Sequence, residues 1–317
     1  MFIFDCVNGC VCLLHKFKNK MSGEKENFAA FSFFFSEKLS TNNVLLKLTF
    51  LIMLMFCNWS VEAIKWQLLV NKITHVNFLT SLRAVFSGVT ISFFTPNRVG
   101  EFAGRMMFLN PEIRVQSVLS TFIGSISQLI ITIIAGLAGM SVLLNYFFQV
   151  SPAIQTTVII LSISLSVVLL FFFLHLKWIT KLSLIQKFPE RIKKYISVFE
   201  NYSSHDLKKV LMFSFIRFLL FTFQYWLLLR MAGVILPFTT AALCISLIFL
   251  VLALIPTIAI AELAFRGSVA LGVLQVFSSN TEGILIASFG LWFINLALPA
   301  AIGSFMFLYF KLKQNKE

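Results

Sequence analysis

The sequence predicts an all-α integral membrane protein. It reads as a polytopic helical bundle with two inverted repeats, each containing a Pro-broken re-entrant helix pair. Three observations predict this. The 317 residues are 58% hydrophobic and 12% charged, with a mean hydropathy of +0.89, whereas soluble domains carry about 25% charged residues. Long stretches carry no formal charge at all. Two blocks 160 residues apart repeat one spacing of aromatic, proline and acid–base residues.

A chain so poor in charge cannot cover a globular surface and takes lipid as its solvent. That excludes a soluble enzyme, a disordered regulator and a nucleic-acid module as the main body. Lys and Arg number 26 against 13 Asp and Glu, for a net charge of +13. In a multi-pass protein this excess reflects basic cytoplasmic loops, and no nucleic-acid partner is expected. Cys6, Cys10, Cys12, Cys57 and Cys244 form neither an even disulfide ladder nor a zinc spacing. Neither a metal nor a cofactor is expected. The 38 Phe residues read as lipid-facing bulk. No HExxH, Asp-rich metal motif or Ser/His/Asp set occurs, so no catalytic residue is assigned and the chain is read as a non-enzyme.

The elements follow in order. Residues 1–43 form a poorly defined segment in which Lys16, Lys18, Lys20 and Glu24 break two apolar stretches too short to cross. A single membrane domain spans 44–312. Its first repeat covers about 44–148 and its second about 207–312. A bilayer core needs about 20 mostly apolar residues per helix, and the run 44–70 supplies them. Val115 to Leu176 holds no Asp, Glu, Lys or Arg; Ser151-Pro152 divides it into two spans, about 115–148 and 153–176. The segment 177–209 is basic and is expected in the cytoplasm. Ile192, Ile196 and Phe199 share a helical face there, which fits either a helix lying on anionic headgroups or a solvated loop. Further spans are expected at about 207–230 and 284–310, before a cytoplasmic tail at 313–317.

The repeat rests on spacing. Trp66, Phe78 and Pro96 recur as Trp226, Phe238 and Pro256, and both blocks continue into Glu-x-x-x-Arg, as Glu101/Arg105 and Glu262/Arg266. If 78–109 and 238–275 are re-entrant, both basic segments fall on the cytoplasmic side and the repeats come out inverted. Inverted repeats with broken helices recur in secondary transporters. A Pro removes an amide donor and breaks a helix, and the half-helix that follows offers N–H groups to an anion.

Glu101 and Arg105 share a helix face, as do Glu262 and Arg266. Burying one such charge costs about 3 kcal/mol on insertion scales. Two readings stay open. The pairs line a polar cavity where Arg meets a lipid phosphate, or they are ion pairs that lock half-helices together. Asn97 and Arg98 add polar groups to the first loop, and Gly100 permits close backbone approach. Lys65 and Trp66 are expected as interfacial anchors, with Lys65 also a cavity candidate. Asn58 and Glu62 share a face. Gln128, Gln224 and Asn295 are expected to bond between helices, and Arg217 to contribute to the cavity.

The run Asn58-Trp59-x-x-Glu62-Ala63-x-Lys65-Trp66 is followed by Ser87-Gly88-Val89-Thr90 and by Phe94-Thr95-Pro96-Asn97-Arg98-Val99-Gly100-Glu101-x-x-Gly104-Arg105. Over roughly 44–312 the chain resembles the transmembrane region of lysylphosphatidylglycerol synthases, the flippase-like domain family. The resemblance implies a multi-pass protein of the bacterial inner membrane, tied to lipid translocation or lipid-linked envelope chemistry. Headgroup contacts would fall on Glu62, Pro96, Asn97, Arg98, Gly100, Glu101, Arg105, Pro256, Glu262 and Arg266, with Lys65, Gln128, Arg217 and Asn295 nearby in the cavity. The implied partners are membrane lipids, either an anionic phospholipid or a lipid-linked intermediate, and a second copy of the chain or an envelope-lipid enzyme. A membrane-embedded lipid-modifying enzyme and a structural or accessory subunit are the alternatives. The synthases carry an aminoacyl-transfer domain after the membrane part. No such domain follows the last span here, so aminoacyl transfer is not expected. Members of the family usually have a further span before the Asn58–Trp66 helix, so an altered start is expected.

Overall fold

A computed structural model of the chain describes residues 42–95, 98–181, 189, 193, 195–255 and 259–314. All regular structure among them is helical. The chain divides into two units, Met1–Met53 and Leu54–Glu317. The described part of the first is the opening of helix α1 (Asn42–Val70), where Leu45, Leu46 and Met53 are exposed. The second holds everything else.

α1 contains neither Gly nor Pro, so nothing interrupts its backbone ladder for 29 residues. Asn77 then caps α2 (Phe78–Phe93), its side chain accepting from the Thr80 amide at 2.8 Å. α2 stops short of Pro96, as a helix must, and α3 (Gly100–Met106) follows. The long α4 (Arg114–Phe148) ends on Gln149 in the left-handed region, and Ser151 with Pro152 opens α5 (Pro152–Leu174). After α6 (Lys177–Lys181) and a 3₁₀ turn (Ser197–Asn201), a capping box of Ser203 and Asp206 starts α7 (Ser204–Met231). α8 (Phe238–Leu254) and α9 (Ala259–Leu274) come next. α10 (Thr281–Trp292) runs through a π turn (Phe293–Ala297) into α11 (Leu298–Gln314).

Among the described residues, five helical stretches are long and apolar enough to cross a membrane: 45–70, 111–148, 152–174, 204–231 and 281–306. They coincide with the spans read from hydropathy, and the protein is a multi-pass membrane protein. α2 and α8, at 16 and 17 residues, are only about 25 Å long at 1.5 Å per residue, less than a hydrocarbon core of about 30 Å. α5 shows what lipid exposure does to a sequence. It has no charge, and of its 23 residues only Ser162 and Phe173 are buried.

Packing joins the two blocks crosswise. α2 lies on α11, and α8 lies on α4. Each block's short helix therefore rests on the long helix of the other block. Small residues set both approaches, as is usual between helices in lipid. A Cβ at Gly303 would strike the Phe86 carbonyl and the Thr90 hydroxyl, and one at Gly139 the Leu243 carbonyl. Within the first hairpin, a Cβ at Gly104 would meet the Gly88 backbone. Thr90 Oγ1 also donates to the Ala300 carbonyl at 2.8 Å, fixing the α2–α11 register.

The basic segment behaves differently from either expectation. Val198, Phe199 and Tyr202 are buried in an apolar cluster with Leu69, Ile123, Phe173 and Leu207, and Ile196 packs on its edge. The apolar face seeks protein, not headgroups or water; Ile192 lies outside the described residues. Tyr202 supplies the reason. Its hydroxyl donates to the Leu69 carbonyl at 3.0 Å and pairs with Ser120 Oγ at 2.8 Å. Burial pushes that hydroxyl up to about 12, so it stays a donor at neutral pH.

Two predictions follow from these contacts. Gly104→Leu and Gly303→Leu should each cost about 1–3 kcal/mol or more of overpacking and lower the monodisperse fraction on size exclusion in detergent. Gly272→Ala, where a new Cβ meets nothing within 4 Å, should leave that fraction unchanged or raise it. Tyr202 has a folded value above the ordinary phenol value. Its contribution to stability is therefore complete below pH 10 and lost as pH rises toward 12, and the melting temperature of Tyr202→Phe should not show that alkaline loss.

Candidate functional site

Three helices bring their charges to one carboxylate. Glu62 sits in the middle of α1 and is 4% exposed. Lys65, one turn later, reaches its Oε2 at 2.8 Å, and Arg105 of α3 reaches its Oε1 at 2.9 Å. Arg217 of α7 pairs with Oε2 as well, and its Nε donates to Asn58 Oδ1 at 3.1 Å. Arg105 is further bonded to Glu101, four residues before it on α3. Lys65, Arg105 and Arg217 are all buried.

Further bonds tie the cluster to its neighbours, although Arg105 Nε and Asn58 Nδ2 are buried without a hydrogen-bond partner among the described residues. Lys65 Nζ gives to the Gly124 carbonyl at 3.2 Å and to Ser214 Oγ at 3.4 Å, and Ser214 bonds Ser127 at 2.7 Å. Gln128 Nε2 donates across to the Ser214 carbonyl at 3.4 Å. The Arg217 guanidinium lies over the rings of Trp59 and Phe221, at 5.3 and 5.7 Å from their centroids. Charges at this depth persist only when paired and bonded in this way.

A cavity of about 560 Å³ opens against this cluster, within the roughly 300–1,000 Å³ typical of ligand sites. Its wall includes Glu62, Lys65, Arg98, Glu101, Gln128, Arg217, Arg266 and Asn295. Phe218, Phe221, Phe249, Leu252, Leu291 and Leu296 make an apolar side. Four cationic side chains, Lys65, Arg98, Arg217 and Arg266, thus face two carboxylates, Glu62 and Glu101, an excess of two positive charges among the described lining residues. Arg98 reaches the wall from a left-handed backbone with φ of 56°, a costly conformation for a residue with a Cβ and one that clusters at functional sites.

The structure brings most of the sequence-derived set together, with changes. Lys65 and Trp66 are not interfacial anchors: Lys65 is 1% exposed and ion-paired, and the Trp66 indole donates to Thr121 Oγ1 at 2.9 Å in the interior. Arg105 lies behind the cavity wall, held between two carboxylates, and is not a lining residue. For that residue the geometry matches the locking ion pair. Gly100 sits where a Cβ would overlap the Ile91 carbonyl and Thr95 Oγ1, and its amide donates to that hydroxyl at 2.8 Å. Pro96, Asn97 and Pro256 lie outside the described residues, as does the Glu262 side chain. Trp59 and Trp292, which sequence reasoning did not select, line the cavity. Their only signal was an aromatic ring close to a polar motif.

Glu62→Gln should be the most damaging single change here. It leaves three buried cations short of their shared anion, a loss of about 3–5 kcal/mol, readable as a fall in melting temperature in detergent. The Glu62→Gln/Arg217→Gln pair should lose less than the two single losses added together, since each removes the other's uncompensated charge.

No curated protein and no solved structure matches the chain. The family model for the lysylphosphatidylglycerol synthase TM region matches residues 35–303, which take in the Glu62 cluster and the cavity wall. With that coverage, and with its multi-pass helical fold, the chain belongs to the lysylphosphatidylglycerol synthase TM region family, whose members are membrane proteins related to lipid handling.

Proposed function

We propose that the chain is a flippase-like protein of the bacterial inner membrane that moves an anionic phospholipid or lipid-linked intermediate by way of the cavity. The observation that carries this reading is a cavity wall that Lys65, Arg98, Arg217 and Arg266 share with an apolar side. Cationic and apolar groups lining one cavity suit an amphiphile. A phosphate offers those cations an anion, and its acyl or isoprenoid tail matches the apolar side. Arg forks suit phosphate oxygens.

The repeat supports a division of labour between the halves. At the repeat offset Glu62 corresponds to Thr222, and Lys65 to Tyr225. The position that clamps Arg105 in the first half is thus uncharged in the second. Arg266, the counterpart of Arg105, is a lining residue where Arg105 is not. On this reading the Glu62 cluster is an ion-paired scaffold, while Arg266 of the second half and Arg98 of the first meet the headgroup. The crosswise contacts of α2 with α11 and α8 with α4 are what two inverted halves around a pseudo-twofold axis would make. The length of the short helices supports their being re-entrant, and rocking of the halves would alternate access. The partner in the membrane is the lipid itself, with a second copy of the chain or an envelope-lipid enzyme to deliver or accept it.

A second reading has one observation in its favour. The charges of the Glu62 cluster pair with one another, as in a structural or accessory subunit whose charges only pair helices. Translocation separates the two. In vesicles holding a fluorescent phosphatidylglycerol, external quenching should reveal lipid movement by the reconstituted chain. Arg266→Ala and Arg98→Ala should each slow it about tenfold, the loss of one charge-assisted bond. Movement unchanged in both variants would favour the structural reading.

A further inference from the structure

The two carboxylates that hold Arg105 are not equivalent. Glu62 is shared with Lys65 and Arg217, and its side chain is 5% exposed. Glu101 has Arg105 as its ion-pair partner among the described residues, its side chain is 25% exposed, and it lines the cavity. The Arg105 side chain is 3% exposed and does not line it. Glu101 is therefore a screen, an anion that faces the cavity on one side and covers a buried guanidinium on the other.

That screen can open without disturbing the cluster behind it. Glu101 and Arg105 meet across one turn of α3, so a rotamer change of the Glu101 side chain parts them and no helix has to move. When Glu101 leaves, Arg105 keeps Glu62 at 2.9 Å, and no unpaired cation is left in the interior. The released carboxylate turns toward a wall it already shares with polar groups. Glu62 has no such freedom, because its departure would strand three cations at once. α2 leaves room for both side chains: a Cβ at Gly88 would lie 3.1 Å from Arg105 Cγ and 3.4 Å from Glu101 Cγ.

A carboxylate and a phosphate ask the same of a guanidinium, acceptor oxygens for its planar N–H fork. A phosphate drawn in by Arg98 and Arg266 thus competes with Glu101 for Arg105. We propose that Glu101 is a tethered competitor of the cargo: its carboxylate occupies Arg105 until the lipid phosphate takes its place, and its return expels the phosphate. This rests on the lipid-carrying reading above and adds to it the step that lets the lipid go. A transported species must bind strongly enough to enter and weakly enough to leave. Cations alone supply only the first half of that condition. An anion fixed to the same helix turn supplies the second, because tethering keeps its effective concentration at the fork high.

The test uses the full chain and phosphatidic acid, whose bare phosphate probes the exchange with no headgroup beyond it. Binding is titrated in detergent by native mass spectrometry. Movement is followed in vesicles by external quenching of a phosphatidic acid that carries an acyl-chain fluorophore. Glu101→Gln keeps an acceptor oxygen for Arg105 and removes the charge. It should bind the lipid about tenfold more tightly, the worth of one charge-assisted bond no longer contested. At saturating lipid it should move that lipid about tenfold more slowly. A purely structural residue would not give this split, since its loss would weaken binding and movement together. Glu101→Asp keeps the charge but is a methylene shorter, and should show the same split to a smaller degree; it decides the matter if the Gln variant does not fold. Binding in a folded variant no tighter than in the unaltered chain would overturn the exchange, as would tighter binding without slower movement. Where the unaltered chain still binds and moves the lipid, either result leaves the lipid-carrying reading standing. If the unaltered chain neither binds nor moves it, both fall.

Discussion

One carboxylate organises this protein. Glu62 is the shared anion of Lys65, Arg105 and Arg217, and those cations arrive from α1 itself, from the short α3 and from α7. Each of them is affordable at that depth only because of Glu62, and Glu62 only because of them. Lys65 extends the junction to α4 through the Gly124 carbonyl. The crossing of four helical elements is thus set by ionic geometry, where hydrophobic contact would be weakly selective. In lipid, apolar side chains gain little by leaving their solvent, so directional bonds carry the specificity.

The cavity is the complement of that junction. Most charges of the cluster, Glu62, Lys65, Glu101 and Arg217, also line it, beside Arg98 and Arg266 from outside the cluster, whereas Arg105 is held behind the wall. The left-handed backbone at Arg98 and the capped start of α3 on Thr95 hold the loop between the hairpin helices in an uncommon path. Its cost is sustained by the close Gly88–Gly104 packing beneath it.

Hydropathy made the five spans legible, because a bilayer imposes one length and one composition on whatever crosses it. The ion pair of Glu101 with Arg105 was legible too, since residues four apart share a helix face. The convergence on Glu62 was not: Arg217 lies 155 positions away, and no local spacing records that distance. Lys65 and Trp66 were read as anchors because Lys and Trp near the end of an apolar run usually snorkel to the interface. What reverses that reading is the carboxylate one turn earlier, which makes an interior ammonium tolerable. The face of Ile196 and Phe199 was ambiguous for another reason. An amphipathic pattern states that one side avoids water and cannot state whether lipid or protein covers it. Trp59 and Trp292 went unselected because nothing in a sequence marks an indole that lines a cavity.

The crosswise seams have a mechanical consequence. Because α2 leans on α11 and α8 on α4, no half can shift without working both junctions at once. Those junctions are floored by glycine, and at the α2–α11 seam the Thr90 hydroxyl holds one register. A side chain added at either floor would push apart elements of both blocks, so the tolerance of each block for change is set partly by the other.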